Sequence, residues 1–228
     1  MALYVIADLH LSLGGSKPMD IFSGWENHVD RLKSNWTKLV KEDDIVVIPG
    51  DISWGLTLSE ALPDFRFINS LPGKKIISKG NHDYWWQTRK KLNEFILTNN
   101  LDTISFMHNN SFETDKYILC GTRGWIFENG QEHDEKIIRR EAARLKMSLD
   151  YIKSDKEKIV FLHYPAIYMD QKSENILNIL KEYDIKKCYY GHLHSKTINY
   201  AFNGDYMGTF HRLISADSLN FCPYFIDN

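Results

Sequence analysis

An α/β fold built on parallel strands is the class this sequence predicts, and two observations predict it. Apolar, strand-like runs alternate with helix-spaced segments three times from Leu3 to Leu97, the pattern of βαβ units. Five apolar runs along the chain end in side chains of metal-ligand type. Such ends place one polar site at the carboxyl edge of a sheet.

Each element has its own signal. Leu3 to Ala7 is an apolar strand that runs into Asp8 and His10. Leu11 to Gly24, with Gly14, Gly15 and Pro18, reads as a loop. Val29, Leu32, Trp36, Leu39 and Val40 fall at helical spacing, predicting a helix from Trp25 to Val40. Ile45 to Ile48 is a buried strand leading to Gly50-Asp51. Leu58 to Leu71 reads as a helix broken near Pro63. Ile76 to Asp83 is a strand ending in Gly-Asn-His-Asp, with Gly80 allowing a sharp bend. A helix is expected from Trp85 to Leu97.

The second half begins with two strands, Thr103 to His108 and Lys116 to Cys120, joined through Asn109-Asn110-Ser111. Gly121 to Trp125 is a glycine-punctuated loop, and a long helix runs from about His133 to Ile152. Ile159 to His163 is a strand ending in His, and Ser173 to Tyr183 is a helix. Cys188 to His194 ends in Gly-His-Leu-His. From Thr197 onward the pattern suggests an antiparallel hairpin, with Asn203-Gly204-Asp205 as a turn.

Composition narrows the function. At 228 residues one domain spanning 1–228 is expected. The formal charge of -2 gives no electrostatic case for binding nucleic acid or an anionic membrane. Cys120, Cys188 and Cys222 form no Cys-x-x-Cys pair, so reduced thiols in a cytoplasmic compartment are expected. Asp8 interrupts the first apolar run, which does not suit a signal peptide. No apolar run approaches the roughly 18 residues of a membrane span.

The strand ends supply Asp8, His10, Asp51, Asn81, His163, His192 and His194. Imidazole nitrogens with carboxylate and amide oxygens suit a divalent transition metal, with manganese first and iron, cobalt, nickel or zinc possible. Seven donors exceed one tetrahedral ion and suit two. Two ions about 3.5–4 Å apart hold both oxygens of a phosphoryl displacement. Asp51 is the natural bridge, because its strand sits between the others in sequence. On an alternating strand His192 and His194 would share a face. His28 and His133 lie on helices and, with His108 and His211, read as structural. Arg123 sits in a loop after a strand, suited to gripping a phosphate with its planar fork. Lys79 is a second cation nearby in sequence. Trp54, Tyr84, Trp85 and Trp86 adjoin the donor loops and read as packing residues, with stacking on a base or aryl group as their second reading.

The order Asp-x-His, Gly-Asp, Gly-Asn-His-Asp, His, Gly-His-x-His, from Asp8 to His194, resembles the calcineurin-like metallophosphoesterase superfamily. The resemblance implies a four-layer α/β/β/α sandwich with two mixed β-sheets and the metal site at the strand carboxyl ends. It also implies one metal on Asp8, His10, Asp51 and His194, and a second on Asp51, Asn81, His163 and His192. His82 would serve as proton donor rather than ligand. The implied activity is hydrolysis of a phosphate mono- or diester, on a small molecule or a peptide, by hydroxide formed at the metals. A nuclease or cyclic-nucleotide phosphodiesterase is the alternative within the superfamily. A non-catalytic scaffold is opposed by the intact donor set. One departure stands out: some branches carry Gly-Asp-x-x-Asp, whereas this chain reads Gly50-Asp51-Ile-Ser-Trp54. Either Asp83 or a distant residue orients His82, or the pairing is dispensed with.

Overall fold

The computed structural model describes residues 1–15, 17–126 and 134–227. The strands are β1 (Leu3–Val5), β2 (Ile45–Pro49), β3 (Lys74–Ser78), β4 (Ile104–Phe106), β5 (Phe112–Glu113), β6 (Tyr117–Thr122) and β7 (Glu157–Leu162). They continue with β8 (Ile167–Tyr168), β9 (Gln171–Lys172), β10 (Lys187–Tyr190), β11 (Gly204–Tyr206), β12 (Thr209–Leu213) and β13 (Tyr224–Asp227). The α-helices are α1 (His28–Leu39), α2 (Leu58–Ser70), α3 (Arg89–Thr98), α4 (Asp134–Tyr151) and α5 (Glu174–Glu182). One large sheet has the order β13-β1-β2-β3-β4 and a second the order β11-β12-β10-β7-β6-β5, while β8 and β9 pair as a separate two-stranded ribbon. Both large sheets are mixed: β1 to β4 run parallel while β13 is antiparallel to β1. In the second sheet β6, β7, β10 and β12 are parallel and the edge strands β5 and β11 antiparallel.

Alternation along each strand sorts the core into three layers. On β2, Val46 and Ile48 pack under the helices with Leu32, Trp36, Phe65 and Leu92. Ile45 and Val47 of the same strand face the other sheet and meet Leu119, Ile159, Phe161 and Tyr189. Val160 and Leu162 of β7 point the opposite way, onto Leu145 and Leu149 of α4 and Leu177 and Leu180 of α5. Helices, sheet, sheet and helices therefore form the expected four-layer α/β/β/α sandwich. No helix among the described residues is long and apolar enough to cross a membrane.

Several boundaries differ from the sequence expectation. Helix α2 runs unbroken through Pro63. Thr57 caps its start by accepting from the Glu60 N–H at 3.2 Å, and buried Ala61, Phe65 and Ile68 hold it to the sheet. Helix α3 begins at Arg89, four residues after Trp85. Trp85 is instead fully buried in the core, and its segment is held open by the hydrogen bonds of Asp83 described below. Strand β6 extends through Gly121 and Thr122, where the sequence predicts loop. The hairpin between β11 and β12 turns at Met207 and Gly208, not at Asn203-Gly204-Asp205. Both turn residues have positive φ, 52° and 88°, the requirement of a two-residue type I′ turn. His133 lies outside the described residues, so α4 is described from Asp134.

At the carboxyl ends of the strands the two sheets touch. The Ala7 N–H donates to the Ile214 carbonyl at 2.8 Å, and the Ala7 carbonyl accepts from the Ala216 N–H at 2.9 Å. This link brings the segment after β12 beside the segment after β1.

Candidate metal centre

The donor loops are built from backbone that most residues avoid. Asp8, His10, Asp51 and His192 have φ of 61°, 46°, 53° and 73°. Non-glycine residues rarely enter this left-handed region, at a cost of order 1–3 kcal/mol each. A web of hydrogen bonds between loops offsets that cost. The Asp8 N–H donates to the Gly50 carbonyl and the His10 N–H to the Asp51 carbonyl, each at 3.0 Å. Asp83 accepts from the Gly80 and Asp51 N–H groups at 2.7 and 2.9 Å with Oδ2. Its Oδ1 accepts from the Ile52 N–H at 2.8 Å. Gly80 has no positive φ, so its need is for close approach: a Cβ there would strike the Asp51 carboxylate.

Asp8 and Asp51 divide their oxygens in the same way. Asp8 Oδ2 accepts from the His192 N–H at 2.9 Å. Asp51 Oδ1 accepts from the His82 N–H at 2.8 Å. The remaining oxygens, Asp8 Oδ1 and Asp51 Oδ2, are buried with no hydrogen-bond partner. Around them stand the imidazoles. Asp8 Oδ1 lies 3.4 Å from His194 Nε2 and 3.6 Å from His163 Nδ1. Asp51 Oδ2 lies 3.7 Å from His10 Nε2 and 3.6 Å from His163 Nε2. His10 Nε2 and His194 Nε2 are 3.1 Å apart. One ligand atom from each of Asp8, His10, Asp51 and His194 lies within 4.8 Å of all the others. On the other side of Asp51, Asn81 Oδ1 is 2.6 Å from His163 Nε2 and 3.0 Å from His192 Nδ1.

This donor set fits divalent cations. Two ligands of one ion stand roughly 3–3.5 Å apart when each bond is ~2.1 Å. Burial, then the neighbouring imidazoles, holds His10 and His163 well below the usual histidine range. Burial and then His194 bring His192 down to about 3. Neutral imidazole is the metal-binding form. Burial works against charge on His194 too, but Asp8 and Asp217 outweigh it and push its pKa up to about 10. Asp51 is raised well above the carboxylate range by burial and then by Asp83 and Asp8. A cation between the orphaned oxygens would relieve that crowding.

The structure thus brings together all seven donors expected from the sequence. It revises one argument for them: β10 ends at Tyr190, and His192 sits in the left-handed region. The two histidines are therefore not paired by strand alternation. His194 joins His10 and Asp8, while His192 joins Asn81. Asp217 has no sequence signal. Its Oδ1 lies 3.3 Å from His194 Nδ1, and its Oδ2 accepts from the Ser195 N–H at 2.8 Å. His163 Nδ1 is likewise 3.2 Å from the Pro49 carbonyl.

His82 stands just outside the donor ring. Asp83 turns both oxygens to backbone N–H groups, and His82 Nδ1 is buried with no hydrogen-bond partner. The ring packs on Trp54 at 4.6 Å, and Trp54 also stacks on His10 at 4.9 Å. Trp54 is thus a wall of the site. Burial, then His194, lowers the His82 pKa. Arg123 lies farther along the same edge. Its carbonyl accepts from the His163 and Tyr164 N–H groups at 3.1 and 2.8 Å. Its guanidinium is largely buried, 3.8 Å from Glu141 and 4.8 Å from the Trp125 ring centre. His28 and His211 are buried among aromatic rings, as expected for structural histidines. His108 differs, since it lines a cavity with Lys79, Arg123 and Arg144.

A two-sheet sandwich with carboxylate, imidazole and amide donors converging on its strand ends is the frame of a metal-dependent phosphoester hydrolase. The chain belongs to the Calcineurin-like phosphoesterase family, which matches residues 1–196, and members of that family work with two metal ions. No curated protein matches the sequence. Among solved structures, the chain is similar to the phosphopantetheinyl hydrolase PptH from Mycobacterium tuberculosis. That likeness has a TM-score of 0.59 at 11% identity and covers 99% of this chain and 95% of that one. TT1561 of Thermus thermophilus gives 0.59 at 12%, over 100% and 99%. The protein of unknown function AQ665 from Aquifex aeolicus gives 0.54 at 16%, over 98% and 95%. At these identities the likeness is one of fold.

Proposed function

We propose that the protein hydrolyses a phosphate mono- or diester, borne by a small molecule or a peptide, with two divalent ions, manganese first. Asp8, His10, Asp51 and His194 hold one ion, and Asp51, Asn81, His163 and His192 hold the other. The observation that carries this reading is the pair of buried, unpartnered oxygens Asp8 Oδ1 and Asp51 Oδ2, ringed by imidazoles. Two cations, when bound, supply Lewis acidity that activates water near neutral pH and shields the phosphoryl oxygens. The residues of the chain set the geometry. Asp51 Oδ2, between His10 and His163, suits a shared ligand. The Pro49 carbonyl and the Asp217 carboxylate steady the His163 and His194 rings from behind. The fold shared with a phosphopantetheinyl hydrolase supports a phosphoester substrate. Buried free thiols at Cys120 and Cys188 support a reducing compartment, and we place the protein in the cytoplasm.

His82 protonates the leaving oxygen in this reading. It is low in pKa in the free protein, and the negative charge of a bound phosphate raises it. The imidazolium therefore forms with substrate in place. Arg123 offers its fork to a phosphate oxygen. The test pairs metal analysis with turnover of alkyl and 4-nitrophenyl phosphates. His82→Ala is expected to keep both metals and lose roughly 10²–10⁴-fold in kcat on alkyl esters. The loss should be smaller on the nitrophenyl ester, whose leaving group needs no proton. A wild-type protein that takes up metal but cleaves no phosphate ester would overturn the proposal. Equal losses on both esters would remove the acid role from His82.

A further inference from the structure

Beside the donor ring lies a cavity of about 210 Å³, and of its lining the reaction above uses Arg123 alone. It opens at the carboxyl ends of β3, β4 and β6 and shares two loops with the metal centre. β3 leads through Ser78 and Lys79, both in its lining, to Asn81. β6 leads through Thr122 to Arg123, whose carbonyl holds the backbone of His163.

The lining is cationic. Lys79, Arg123 and Arg144 face a single carboxylate, Glu141, which leaves two positive charges in excess (three minus one). The chain as a whole carries a net charge of -2, so this concentration is local. Glu141 is fully buried and already engaged. It accepts from Arg144 Nη1 at 2.8 Å and from Thr122 Oγ1 at 2.7 Å. Arg123 is farther away, at 3.8 Å, and its Nε is buried with no partner. Ser78 Oγ and His108 Nδ1, on residues of the same lining, are also buried and unpartnered. Burying such groups without a partner is unfavourable. A ligand with several acceptor oxygens and negative charge would satisfy them together. Thr88, the N-cap of α3, lines the cavity too, so a helix N-terminus adds to the positive field.

Arg123 is also held in a fixed relation to the metal centre. Its guanidinium lies over Trp125, Trp125 packs on Tyr164 at 4.9 Å, and Tyr164 packs on His192 at 4.1 Å. A group bound by Arg123 is therefore placed at a set distance from a phosphate bound at the donor ring.

We propose that this cavity binds a second phosphate group of the substrate, so that the ester cleaved at the metal centre carries a further phosphoryl group. The inference rests on the phosphoesterase reading for the place of the scissile phosphate. Free inorganic phosphate offers the same chemistry, and the experiment separates the two sources.

Metal-loaded, full-length protein is dialysed to equilibrium against radiolabelled inorganic phosphate. Wild type is expected to take up two phosphates per chain, and Arg144→Gln one. Lys79→Gln should weaken the same uptake at least about ten-fold, which guards against misfolding of the arginine variant. Circular dichroism of each variant checks its fold. In parallel, kcat/KM is measured on a panel of phosphate monoesters, each paired with its bisphosphate. Wild type should favour the bisphosphates through a lower KM, and the arginine variant should lose that preference at least about ten-fold. Unchanged phosphate uptake in folded variants overturns the site. Reduced uptake with an unchanged preference overturns the substrate assignment and makes free phosphate the ligand. Hydrolysis of no ester at all counts against the phosphoesterase reading, and phosphate uptake still reads the cavity on its own.

Discussion

Asp51 gives one carboxylate oxygen to the His82 backbone and leaves the other between His10 and His163. An amide at this position keeps the shape and removes the charge. Asp51→Asn is therefore expected to lose both metals, whereas His163→Ala loses one, because cations across a short gap repel without a shared anion. Metal stoichiometry after identical loading decides this, and two metals with full activity in Asp51→Asn would end the bridging role. Asp217 acts one layer farther out. Asp217→Ala should lower affinity for a metal at the His194 side by roughly 10–100-fold and leave the Asn81 side unchanged. Competition with a chelator measures both. The donors were legible because each follows an apolar run at fixed motif spacing. Asp217 was not, because its place beside His194 comes from the link between Ala7 and Ile214–Ala216, two sheets meeting far apart in sequence. The left-handed backbone of Asp8, His10, Asp51 and His192 was equally hidden, since none of them is a residue that favours it as glycine does.

Among the elements, β3 begins with a lysine pair whose second member is fully buried. Lys75 Nζ donates to the Leu71 carbonyl, to the Gly73 carbonyl at 2.7 Å and to Thr103 Oγ1 at 3.0 Å. It thereby closes the carboxyl end of α2. Burial pulls its pKa from 10.5 down to about 8, against a smaller opposing effect of Glu42. The charged form is thus disfavoured in the fold, and the cost is fully present below about pH 8. Between pH 8 and 10.5 the unfolded chain holds the proton and the folded chain does not, so stability rises with pH. Urea unfolding of wild type and Lys75→Met across this window should show the wild type gaining on the variant by about 3 kcal/mol. Parallel curves would place the titration elsewhere. Helix α2 also shows where local signals fail. Pro63 removes one backbone donor, but the Thr57 cap and the buried apolar side chains of Ala61, Phe65 and Ile68 outweigh that loss. Burial of Trp85 had the opposite effect, delaying α3 by drawing the chain into the core first.

For the whole molecule, periodicity revealed the parallel first half and resemblance the two-sheet sandwich, but the order of strands was not legible, since pairing across long separations leaves no local pattern. The return of β13 to β1 is the clearest instance. Tyr4 and Phe225 meet across that pair at 5.6 Å, and without β13 the edge of β1 would be bare. A chain ended after Phe221 keeps every donor and Asp217. It is expected to bind metal but to melt lower, by roughly 6–12 °C for a loss of ~3 kcal/mol, and to aggregate as concentration rises. Calorimetry and light scattering would show it; an unchanged Tm would mean that β13 is ornamental. The same pairing has a consequence in time. Val5 leaves the ribosome some 219 residues ahead of its partner Tyr224, an interval of roughly 10–40 s at ~5–20 residues per second. Throughout that interval one side of β1 stays open to neighbouring nascent chains on a polysome, and a chaperone that shields it has that long to act.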